Sequence, residues 1–134
     1  MKKAIALLLA LVMVFALCAC GGDKGTADNG EKVVKIGVFE PASGDSGAGG
    51  KKEMLGMQYA NQETPTVEIG GETYKVELVY SDNGSDSAKA VSAASKLVNE
   101  KVSIVLGSYG SGVSIAASDT FKQAGIPAVG VTLS

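Results

Sequence analysis

The stretch VSIVLGSYGSGVSIAASDTFKQAGIPAVGVTLS, residues 102–134, decides the fold. A short apolar run at 103–106 suits a buried strand, and GSYGSG follows at 107–112. Over 112–124, Val113, Ala116, Ala117, Phe121 and Ala124 then fall on one helical stripe. Gly125 stands where a left-handed residue closes a helix, and Ile126-Pro127 open a second apolar run. Strand, helix, strand is the unit of a parallel sheet, because a second strand can return alongside the first only through a crossover.

The same unit recurs upstream. Residues 86–99 place Val91, Ala94, Leu97 and Val98 at helical spacing, with Ser85 or Asp86 available as N-cap. Gly70-Gly71 separates 66–69 from 73–80, a hairpin-turn signal, with Tyr74, Val76, Leu78 and Tyr80 alternating against Lys75, Glu77 and Val79. The second arm is expected to enter the main sheet. Residues 52–61 read as a helix with Met54, Leu55, Gln58 and Tyr59 on neighbouring faces, although Gly56 lowers its propensity. VVKIGVF at 33–39 reads as a strand buried on both faces. The order β-α-β-α-β-α-β, with an extra hairpin arm, specifies an α/β fold. The expected architecture is an open, doubly wound, mostly parallel sheet with helices on both faces.

The amino terminus has a different character. Lys2 and Lys3 precede an unbroken apolar run at 4–17, which ends at Cys18-Ala19-Cys20, the layout of a signal peptide. The run is too short for a permanent transmembrane helix, which needs roughly 20 residues. Leu17-Cys18-Ala19-Cys20 resembles a bacterial lipobox with Cys20 as the lipid acceptor. Cys18 fits that role poorly, since Leu17 would then occupy the position kept small. The expected organisation is a leader at 1–19, a lipidated Cys20 with a polar, glycine-rich tether to residue 32, and a folded part at 33–134. Diacylation plus an N-acyl chain exceeds the two-chain minimum for stable anchoring, so the protein is expected outside the cytoplasm on a membrane face.

Composition excludes much. With 12 lysines and arginines together, 14 acids and no histidine, the formal charge is −2. All twelve are lysines, and removing Lys2 and Lys3 leaves ten against 14, or −4, which disfavours a nucleic-acid partner. Histidine-based triads and metal sites are excluded within the chain, and its 2 cysteines both lie before residue 21, so the folded part has no disulfide. No catalytic residues, metal or cofactor are expected.

Two loops follow strands and merit a chemical reading. PASGDSGAGGK at 41–51 fails as a phosphate loop, because Asp45 replaces the first glycine and Lys52 the Ser/Thr, and G-x-G-x-x-G is also absent. It is expected to border a ligand cleft as a crossover loop. GSYGSG at 107–112 joins a strand's carboxyl end to a helix start, where unpaired amides and the helix dipole favour an anion. Ser111 is expected to be N-cap and hydroxyl donor, with Gly110 and Gly112 allowing close ligand approach. Thr132 and Ser134, ending the next strand, would border the same crevice if the two strands are neighbours. Asp82 and Asp86 lack the remaining ligands of a calcium loop and read as loop and cap residues.

Three stretches, KIGVFEPASGDSGAGG, YKVELVYSDNGSDSAKAVSAASKLV and the opening quotation, together resemble the substrate-binding proteins of branched-chain amino acid ABC transporters. These form the Leu/Ile/Val-binding group of type I periplasmic binding proteins. Strand, G-S-x-x-S, helix, G-I-P and strand keep the family's spacing. The resemblance implies that Ser111, beside Gly112, holds an amino acid's α-carboxylate. It implies too that Thr132, Leu133 and Ser134 clamp the α-carboxylate and α-ammonium, Leu133 standing where the family usually has a small residue. Ala48 and Gly49 would border the pocket, Gly49 where many members carry an aromatic residue. Gly84 and Gly110 stand at positions that form a disulfide in some members. Complete members have two lobes that close around the ligand. The chain is therefore expected to be an incomplete first lobe, the N-terminal part of a longer protein, an expectation that the uncovered apolar run at 128–133 supports. The implied function is a monomeric, non-enzymatic receptor delivering an amino acid or similar small polar solute to an ABC permease. Alternatives are a sensory domain of the same fold, or an enzyme on a doubly wound sheet. The latter lacks a G-x-S-x-G elbow and a histidine.

Overall fold

The computed structural model describes residues 31–131. Among them the elements run β1 (Val33–Val38), α1 (Gly47–Glu63), β2 (Thr66–Ile69), β3 (Glu72–Tyr80), α2 (Ser87–Asn99), β4 (Ile104–Leu106), α3 (Ser111–Ala124) and β5 (Ala128–Val129). The sheet order is β2-β3-β1-β4-β5, parallel except for β2, which runs antiparallel to β3. This is the expected α/β sheet with its hairpin arm at one edge. The turn is built as the glycines require: Gly70 and Gly71 have φ of 62° and 81°, the left-handed pair of a two-residue hairpin. The resulting register pairs Ile69 with Glu72 and Thr66 with Lys75.

From β1 the chain steps through α1 to β3, then returns through α2 to β4 on the other side of β1. The direction of winding therefore reverses between β1 and β4, and the loops after these two strands diverge to open a crevice.

One face of the sheet is closed by α2 and α3. Ala90, Ala93, Ala94 and Leu97 of α2 and Val113, Ala117 and Phe121 of α3 are buried with Phe39, Val102 and Val105. Phe39 and Phe121 meet edge to face at 5.5 Å, a favourable ring arrangement. The stripe on α2 differs from the one expected, because Val91 is 48% exposed whereas Ala90 and Ala93 are buried. Backbone closeness is the reason. A Cβ on Gly37 of β1 would press at 3.1 to 3.2 Å on Val105, Leu97 and Val102, so this layer admits methyl groups more readily than branched chains. On α3, Ala124 is exposed rather than on the buried stripe.

Among the described residues, the other face carries α1 alone. This helix starts at Gly47, five residues before the expected start, so the glycine-rich segment is helix rather than loop from that point. Each interior glycine costs about 1 kcal/mol relative to alanine, yet Gly47 and Gly50 are buried, and a Cβ on Gly50 would overlap the Pro41 carbonyl. Tight packing overrides propensity here. Leu55 and Tyr59 face solvent at 64% and 65% exposure. Val34, Ile36, Leu78, Ile104 and Leu106 of the sheet line, with Met57 of α1, an apolar groove of about 710 Å³. Consequently β1 is fully buried only toward its carboxyl end, at Gly37 and Val38, and not along both faces as expected.

The leader, Cys20 and the tether through residue 30 lie outside the described residues. Among those described, no helix is long and apolar enough to cross a membrane.

Candidate functional site

The carboxyl ends of β3, β1 and β4 are tied together by one neutral side chain. Asn83, completely buried, donates from Nδ2 to the Phe39 carbonyl at 3.1 Å and to Ser108 Oγ at 2.9 Å, while its Oδ1 accepts from the Ser85 amide at 3.1 Å. Burying an amide is tolerable only when its hydrogen-bonding groups are used, and here three loops share them. Ser108 is equally buried, and its amide donates to Ser114 Oγ in the first turn of α3 at 3.3 Å.

Asp82 braces the outer side of the crevice. Its carboxylate accepts from the amides of Ala42 (2.8 Å), Ser43 (3.3 Å) and Gly84 (2.8 Å) and from Ser43 Oγ (2.7 Å). Burial pushes this carboxyl up, but those bonds outweigh it and hold it below the usual range. Asp86 caps α2, accepting from the Ala88 amide at 2.7 Å. Both aspartates thus serve the loop and the cap, as expected. Among the described residues no group of three or more potential metal ligands converges.

Glu40 lies between the loops, 1% exposed. Its Oε2 accepts from the Tyr109 amide at 2.8 Å, whereas Oε1 has no hydrogen-bond partner. Burial, together with the neighbouring Glu53 carboxyl of α1, pushes Glu40 up to about 7, although the Tyr109 amide pulls the other way. Gly107 makes this packing possible: with φ of 117°, its missing Cβ would overlap the Phe39 carbonyl and lie 2.6 Å from Glu40 Oε1.

The expected site residues divide by location. Gly49, in the first turn of α1, lies against the Tyr109 ring, so close that a Cβ there would stand 2.9 Å from it, and Ala48 beside it is exposed. Ser111 and Gly112 open α3, two and three residues beyond Tyr109. The N-cap is Gly110, with φ of 102° and no side-chain cap bond, so Ser111 is the first helical residue and not the cap expected of it. Glycine reaches that backbone geometry without strain, which moves the helix start one residue upstream. Strands β4 and β5 are neighbours in parallel, Leu106 opposite Val129, and the Gly107 amide donates to the Val129 carbonyl at 3.0 Å. Thr132, Leu133 and Ser134 lie outside the described residues.

Glu40, Asn83, Ser108 and Tyr109 were not singled out from sequence. One signal was present for Glu40, an acid closing an apolar strand run immediately before Pro41. Chemically, the crevice offers the amino end of a 14-residue helix, whose dipole and first-turn amides suit an anion, with an aromatic ring at its border. The apolar groove under α1 lies on the sheet face rather than at these loops.

Known proteins share this fold. The periplasmic binding protein family model matches residues 33–134. A Leu/Ile/Val-binding protein homolog 2 from Brucella abortus is 33% identical over 115 residues, covering 86% of this chain and 29% of the relative. The crystal structure of the leucine binding protein LivK from Thermotoga maritima superposes with a TM-score of 0.69 at 34% identity, over 76% of this chain and 28% of that one. LivJ from Streptococcus pneumoniae, a branched-chain amino acid transporter substrate-binding protein solved with isoleucine, gives 0.67 at 33% identity, over 77% and 30%. The chain thus spans about three tenths of the length of these relatives. With family model, relatives and sheet in accord, this chain belongs to the periplasmic binding protein family.

Proposed function

We propose that this chain is the ligand-binding first lobe of an extracytoplasmic receptor that delivers a branched-chain amino acid, or a similar small polar solute, to an ABC importer. One observation carries this reading: α3 starts beside the reversal point of the sheet, with Ser111 and Gly112 in its first turn. A solute carboxylate would sit at that helix end, its side chain toward Gly49 and Tyr109. Thr132, Leu133 and Ser134 would complete the clamp from β5. Membership of a family of solute-binding proteins and the names of the relatives support an amino acid as ligand. The role is binding, not catalysis, and Cys20 would supply a lipid anchor keeping the receptor near its permease.

In this reading the solute is enclosed by closure of a second lobe, so this chain alone binds weakly. Calorimetry against leucine, isoleucine and valine tests both parts. In the two-lobe protein, Ser111→Ala weakens binding by about 1 to 3 kcal/mol, as expected for a hydroxyl donating to a charged group. Unchanged affinity would remove Ser111 from the site, and submicromolar binding by this chain alone would remove the need for closure.

A further inference from the structure

Glu40 and Glu53 present an unpaired problem inside the fold. Glu40 Oε1 and Glu53 Oε2 are both buried, and neither has a hydrogen-bond partner when the two groups are taken as carboxylates. Two carboxylates only accept, so neither can satisfy the other; one added proton turns the contact into an O–H···O bond. Among the described residues, no cation figures in the groups that act on Glu40. Lys32 pairs with Glu72 and Lys35 with Glu100, at the sheet's other end. The groups facing Glu40 from each packed element are Glu53 of α1, the Tyr109 amide of the β4–α3 loop, and the Gly107 backbone. Asn83 and Ser108 nearby are neutral, and Asp82 spends its oxygens on Ala42, Ser43 and Gly84.

We infer that Glu40 and Glu53 hold one proton between them and act as a latch, fastening α1 to the loop that carries Tyr109. Protonated Glu40 donates from one oxygen to Glu53 and accepts the Tyr109 amide on the other, so a single side chain spans two elements. When the proton leaves to water, two negative charges face each other in a buried space. Glu53, being only half-buried, is the one able to swing out. The contact between Gly49 and the Tyr109 ring, which depends on α1 and this loop staying together, then loosens. The sign follows. The folded state binds the proton more tightly than the unfolded chain, so the latch is intact at low pH and opens as pH rises through the folded titration. If the solute reading above holds, Glu40 and Glu53 are positioning residues for that site, and affinity for an anionic group falls over the same range.

Carbon-13 NMR of the glutamate side-chain carboxyls, recorded as a pH titration of the purified chain with the Gly49 and Tyr109 amides followed in parallel, decides this. The expected result is Glu40 titrating near neutrality, with both amides moving at the same midpoint. Glu53→Gln should lower the Glu40 midpoint by about one unit or more, because it removes a like charge and adds an amide donor. Glu40→Gln, which keeps one acceptor and one donor, should abolish the movement of both amides. Titration of Glu40 in the ordinary carboxylate range overturns the latch from wild-type protein alone, whatever the variants do, and amides indifferent to pH overturn it equally. Leucine calorimetry of the two-lobe protein at about pH 6 and about pH 8 reads the consequence. Absence of leucine binding at both values would count against the solute reading, while the carboxyl titration would still decide the latch.

Discussion

The two faces of the sheet are built by different rules. Under α2 and α3, alanines bring backbones close and Phe39, Leu97 and Val105 fill the remaining space to 1% exposure or less. Under α1, the single helix on that face among the described residues, Gly56 and Ala60 line an apolar groove together with Val34, Ile36, Leu78 and Leu106. Small residues therefore have two opposite effects. Between two neighbouring helices and a sheet they tighten the layer, whereas beneath a single helix they leave its flank open. Stability should accordingly reside in the closed face and adaptability in the open one.

The largest expected effect contrasts the two faces directly. Leu97→Ala should destabilise the fold by about 3 to 4 kcal/mol in urea unfolding, since the cavity is hemmed by sheet and helix. Leu78→Ala, half-covered on the α1 face, should cost about 1 kcal/mol. Equal losses would mean that the groove is filled in solution. A smaller effect tests the cap of α2 on the closed face: Asp86→Ala should lower stability by about 1 kcal/mol, recovered in large part by Asp86→Ser. The smallest concerns the loops between the faces. Asp82 is held below its ordinary value of 3.8, so its contribution is complete above that value and fades as pH falls through the lowered one. Asp82→Asn should flatten the acid end of the stability profile, measured by thermal melts. Glu40, raised from 4.5 to about 7, has the opposite sign: its contribution is complete below 4.5 and is lost as pH rises toward 7.

Much of the architecture was legible because it rests on local chemistry. Gly70-Gly71 specified its own turn, alternation along β3 specified its pairing, and Gly125 closes α3 with φ of 68°. What escaped depends on neighbours distant in sequence. Periodicity reading favours large apolar residues and so points to Val91, although room at the interface decides which residue is buried and Ala90 is the one enclosed. The helical turn at residues 47–50 is invisible to propensity, since glycine opposes it and only the Pro41 carbonyl and the Tyr109 ring explain it. Ser111 and Gly49, which stand at the crevice, were singled out through strand ends and resemblance. Glu40 and Asn83 were not, because a buried polar residue is recognisable only by the partners that satisfy it.

The Gly70-Gly71 turn has a practical consequence. It caps the amino end of β3, while the crevice lies past the carboxyl end, a separation of roughly 26 Å along a nine-residue strand. Among the described residues, nothing lies within 4 Å of a Cβ built on either glycine. A fluorophore or surface linker attached there would report on this chain, or immobilise it, from the end of the sheet opposite the crevice.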